Sequence, residues 1–147
     1  MADFSITQDD MKGISEDQQS TVFDALVAAA WADGNVSDSE RERFEQEVVK
    51  IPFGKPEAEL IKMIHASTAK VGALQDKDAV LAFIKSIAEK LPNQDFREKL
   101  LHTMVKVMYS DKDLNAAERN VITAFVEAFG VTTARFQDIA ASVLKKN

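Results

Sequence analysis

Apolar residues recur along this chain three and four positions apart. Ala79, Val80, Phe83, Ile84, Ile87, Ala88 and Leu91 share one helical face, as do Phe96, Leu100, Leu101, Met104, Val105 and Met108. The same spacing returns in Val121, Ile122, Phe125 and Phe129, then in Phe136, Ile139, Ala140, Val143 and Leu144. No stretch alternates with the two-residue period of a strand, so the pattern predicts an all-α fold, a compact bundle of about seven helices.

Punctuation divides the pattern. Ser15 with Gln18 has capping-box spacing and opens a first long helix over 16–33. Ser37 with Glu40 opens a second over 38–50. After the Ile51–Lys55 loop, Pro56 suits the first position of a third helix that runs to Lys70. Gly72 and Asp76 mark a break. A fourth helix covers 77–91 and stops at Pro92, and a fifth covers 94–110. The sixth starts after Asn115 and ends before Gly130, which suits the left-handed C′ position. Thr132 or Thr133 caps a seventh that ends in Leu144-Lys145-Lys146. Residues 1–14 are expected to be weakly ordered, leaving 15–147 as a single helical domain.

A shift of 78 residues overlays two segments, "DGNVSDSE" (33–40) and "DKDLNAAE" (111–118). Asp33 meets Asp111, Asn35 meets Asp113, Glu40 meets Glu118 and Arg41 meets Arg119. The flanks agree as well. Val22, Phe23, Leu26, Val27 and Trp31 fall on Leu100, Leu101, Met104, Val105 and Tyr109. Phe44 and Val48 fall on Ile122 and Val126. Two pseudo-symmetric helix–loop–helix repeats of one design are therefore expected within the bundle.

Two readings of these segments stay open. In the first, Ser37-x-x-Glu40 and Asn115-x-x-Glu118 are capping boxes, Val36 and Leu114 staple the entries, and Asp and Asn simply favour turns. In the second, the oxygen-bearing side chains Asp33, Asn35 and Glu40, with Asp111, Asp113 and Glu118, hold a divalent cation, because hard cations take several oxygen donors. The spacing is not that of an EF-hand, whose glutamate stands at position 12 and glycine at 6. Here the glutamate is eighth and the glycine second. A site would need both segments brought together, or added water.

The segments "AAAWADGNVSDSERERF" and "VKVMYSDKDLNAAERNVITAFVEAFGV" resemble the two signature stretches of the TerB-like (tellurite resistance protein B) superfamily, over roughly residues 20–131. The resemblance implies an all-helical bacterial protein that binds metal through acidic residues of two loops. They correspond here to Asp33, Glu40, Asp111 and Glu118, with Asn35 and Asp113 as additions. It also implies a part in resistance to tellurite and other stresses, through complexes at the inner face of the membrane. The second copy reads Ser110-Asp111-Lys112 where the family prefers A-D-G or S-D-G, so a lysine charge stands beside the second half-site.

Composition narrows the classes. The chain has 147 residues, no cysteine and a net charge of −6, which removes thiolate ligands, disulfides and cysteine nucleophiles. It also disfavours nucleic-acid backbones and anionic lipid as partners. Its longest apolar run, Ala25 to Ala32, is far below the ~20 residues a membrane span needs. No leader pattern is visible, and the expected location is cytoplasmic. His65 and His102 stand alone, without paired-ligand spacing. No phosphate loop or nucleophile motif is present, so a non-enzymatic module is expected, with a metal-dependent hydrolase as a poorly supported third class. The reading is a cation-binding, stress-resistance module acting through other proteins; the alternative is a metal-free interaction scaffold.

Overall fold

The structure, a computed structural model, describes residues 6–31, 38–74, 76–108 and 116–144. Among them are eight helices and no strand: α1 (Gln8–Lys12), α2 (Glu16–Ala30), α3 (Asp38–Val48), α4 (Glu57–Gly72), α5 (Lys77–Lys90), α6 (Gln94–Met108), α7 (Ala116–Ala128) and α8 (Thr133–Leu144). The all-α expectation holds.

Short polar side chains start these helices because the first N–H groups of a helix have no partner within it. The Ser15 hydroxyl accepts from the Gln18 N–H at 3.2 Å, and the Gln18 amide oxygen accepts from the Ser15 N–H at 2.8 Å. Asp76 accepts from Ala79, Asn93 from Phe96 and Thr132 from Arg135 in the same manner. Pro56 departs from expectation. It is the N-cap of α4, with extended backbone and no capping hydrogen bond, and not the first helical residue. At the end of α7, Gly130 adopts φ 69. Its N–H reaches the Glu127 carbonyl while that of Val131 reaches Val126, a Schellman closure.

Residues 6–14 carry the short helix α1. Thr7 and Asp10 form a reciprocal capping box around α1, and Ile6 and Met11 are buried. Two apolar side chains leave water there, and Asp10 meets Lys99 of α6 at 2.8 Å.

α2 and α6 form the centre. Every residue from Thr21 to Ala29 is buried, since α2 packs against α4, α5, α6 and α7. Phe23 stacks on Phe53 with centroids 4.5 Å apart. α6 packs against α2, α3, α7 and α8. The offset of 78 residues carries the bounds of α2 onto those of α6 and the start of α3 onto the start of α7. Val22, Phe23, Leu26 and Val27 and their counterparts Leu100, Leu101, Met104 and Val105 are all within 1% of complete burial. Packing follows the same exchange: α2 on α4 corresponds to α6 on α8, and α2 on α7 to α6 on α3.

Candidate functional site

Asp33, Asn35, Asp111 and Asp113 lie outside the described residues. Glu40 and Glu118 are the third residues of α3 and α7, but their side chains are outside the described set as well. The two proposed capping boxes at Ser37 and Asn115 fall there too. What the structure does describe is the frame. The Trp31 N–H closes α2 on the Val27 carbonyl, and the Trp31 ring meets Phe44 of α3 edge-on at 5.0 Å. Arg41 pairs with Asp38 at 2.9 Å on the surface, in keeping with a plain surface pair.

The directions of the central helices follow from their first turns. The Gln18 side-chain amide donates to the Lys90 carbonyl at the C-terminal end of α5, at 2.9 Å. The Arg97 guanidinium donates to the Leu91 and Ala88 carbonyls at that same end, at 2.6 and 2.7 Å. α2 and α6 therefore both start beside the end of α5. Since they also pack on each other, they run the same general way. The C-terminal ends of α2 and α6, at Ala30 and Met108, therefore lie toward the same end of the bundle.

Arg97 also reaches the Phe129 carbonyl at 3.3 Å and stands 5.7 Å from the centre of the Phe129 ring. With Gln94 donating to the same carbonyl at 3.0 Å, it ties the ends of α5 and α7 to the start of α6. These are helix-end carbonyls, where intrahelical donors run out, the Ala88 carbonyl accepting from the Leu91 N–H as well, so the arrangement is structural.

Two further polar groups, Asp24 and Asp10, were not anticipated, and the structure also places His102. Asp24, in the buried middle of α2, accepts from the Ser67 hydroxyl at 2.7 Å and from Lys70 at 3.2 Å. The sequence signal was a single carboxylate in an otherwise apolar run. Asp10 accepts from Thr7 as well as from Lys99. Partial burial pushes its carboxyl up, but the bonds from Lys99 and Thr7 together outweigh it and hold it below its usual value. His102 is buried and helps line a cleft of about 140 Å³ between α3, α6 and Ile6, with Glu47, Lys50, Thr103 and Lys106 among its walls. His65 is exposed, as a lone surface histidine would be.

Among the described residues, no group of three or more His, Cys, Asp or Glu side chains could hold a metal ion. Nor is any described helix long and apolar enough to cross a membrane.

The family model described as "Tellurite resistance protein TerB" aligns with residues 19–141. No curated protein and no solved structure matches the chain.

Proposed function

As the chain belongs to the tellurite resistance protein TerB family, we propose that it is a non-enzymatic cytoplasmic module that binds a divalent cation. Its ligands are Asp33, Asn35 and Glu40 with Asp111, Asp113 and Glu118, and it serves tellurite and stress resistance through partner proteins, including a complex at the inner face of the membrane. The observation that carries this reading is the family match over 19–141, which takes in both acidic segments. The common direction of α2 and α6 supports it, because their C-terminal ends, Ala30 and Met108, lie toward one end of the bundle.

The donor set fits a hard cation: three oxygen-bearing side chains come from each segment, and no sulfur or imidazole is among them. When bound, the ion would supply the positive charge that offsets repulsion among the carboxylates. Glu40 and Glu118, at the third positions of their helices, can serve the first turn and the ion together. Lys112 sets a charge against the second half-site, so the first half is the stronger contributor.

Thermal melting tests the reading. At a hundred times its dissociation constant, a ligand adds about 2.7 kcal/mol of stability, which for a chain of this size is a rise of roughly 5–10 °C. Among Ca²⁺, Mg²⁺, Mn²⁺ and Zn²⁺, at least one should produce it. Asp33→Ala and Asp111→Ala should abolish the rise while leaving the apo melting point near that of the parent. If none of the four ions moves the curve, the cation is removed from the reading and the metal-free module remains.

A further inference from the structure

α3 and α7 carry glutamates at matched places, Glu40 and Glu118, each the third residue of its helix. Beyond the first turn the two helices differ. α7 carries Val121, Ile122, Phe125 and Val126 besides four alanines, and it packs against α2, α5 and α6. α3 reads DSERERFEQEV, in which Phe44 and Val48 are the two apolar residues. Both are buried, while Asp38, Arg41, Glu42 and Gln46 stand exposed. Its main neighbour is α6. Buried apolar surface is what holds a helix on a bundle, so α3 gains far less from docking than its counterpart does.

The two ends of α3 are also held unequally. Just past its C-terminal end, Ile51 and Phe53 are buried, and the Phe53 ring stacks on Phe23 of α2 at 4.5 Å. That anchor stays in place whether or not α3 lies on α6. Nearer the start, the described contact with the rest of the bundle is the edge-on meeting of Phe44 with Trp31 at 5.0 Å. The Arg41–Asp38 pair is internal to α3 and so is indifferent to docking. α3 is therefore a lever, anchored beyond one end and lightly held toward the other, and Glu40 lies at the light end.

We propose that α3 is the moving part of the cation site. Without the ion it is released from α6 for a substantial share of the time, hinged at Ile51 to Phe53, and ligation of the ion by Glu40 holds it down. α7, held by its own apolar face, stays docked in both states, so the ordering that the ion brings falls on α3. Loading of the ion is thereby converted into docking of one polar helix, whose exposed Asp38, Arg41, Glu42 and Gln46 are fixed in place when the site is filled. This regulation rests on the cation reading above.

Hydrogen exchange on the full chain tests the release. Without divalent ion, the amides of Phe44 to Val48 should exchange at least ~100-fold faster than those of Ile122 to Val126. Equal rates would overturn the proposal. With whichever of Ca²⁺, Mg²⁺, Mn²⁺ and Zn²⁺ raises the melting point most, the α3 amides should slow at least ~10-fold more than the α7 amides. Val48 and Val126 correspond under the offset of 78 and allow the same substitution in both helices. Val48→Ala should weaken the ion's affinity about fivefold or more by titration calorimetry, because the ion must then order a helix that is released more often. Val126→Ala should change it by less than about twofold. Equal slowing of the two helices, or equal loss from the two substitutions, would overturn the proposal, while a raised melting point would leave the cation reading standing. If no ion raises the melting point, the cation reading fails and the ion's hold on α3 fails with it.

Discussion

Asp24 is the residue whose chemistry is most exposed to test. Its carboxylate sits among apolar neighbours with the Ser67 hydroxyl at 2.7 Å, while Lys70 approaches from a position half open to solvent. A short bond to a charged group in a buried place is worth more than an ion pair with a solvated partner. Ser67→Ala should therefore cost about 1–2 kcal/mol and Lys70→Met under about 1 kcal/mol. Asp24→Ala, which leaves the Ser67 hydroxyl buried and unmatched, should cost roughly 2–4 kcal/mol. Urea denaturation of the three variants gives the order, and a larger loss at Lys70 than at Ser67 would contradict it.

Asp10 offers a second residue-level test. Its folded pKa lies below the ordinary 3.8, so its contribution is fully present above that unfolded value and is lost as pH falls through the lower folded value. Stability of the parent should accordingly drop more steeply below pH 3.8 than that of Lys99→Met, which lacks the pair. Parallel acid limbs for the two chains would show that the pair adds nothing. Neither pairing was legible beforehand, because both join residues far apart in sequence, 43 for Asp24 and Ser67 and 89 for Asp10 and Lys99. Periodicity reports which face is apolar, not which polar groups meet across it.

Elements were far more legible than pairings. Ser15, Asp76, Thr132 and Gly130 each carry local chemistry that fixes a helix end, and each does so in the structure. Gly130 gives the sharpest test of that chemistry. A Cβ there would meet nothing within 4 Å, so Gly130→Ala has no steric clash, only the cost of a left-handed backbone, about 1–2 kcal/mol. A thermal shift of roughly 2–8 °C would agree, and no shift would mean that the helix end relaxes freely. Pro56 was misjudged because a fixed φ near −61 suits an N-cap as well as a first helical position, and only ψ, here 149, separates the two. α1 was missed because its single apolar residue, Met11, makes no stripe. Its signal lay in Thr7-x-x-Asp10, a capping pair with aspartate in place of the longer acid.

At the scale of the whole molecule, the offset of 78 residues was legible as matched apolar positions, and the structure carries it into helix bounds and packing partners. The candidate site was legible only as a set of residue types: carboxylates in a turn satisfy helix N–H groups or a cation equally well, and spacing alone does not choose. The halves are not side by side but interleaved. α2 owes much of its enclosure to α5, α6 and α7, and α3 packs on α6. A ribosome delivers α2 long before those three helices exist. The part of its apolar surface that α4 does not cover must then wait while the second half is synthesised. Completion of the fold is thereby deferred until nearly the entire polypeptide has emerged, and the nascent first half is a natural client for a chaperone.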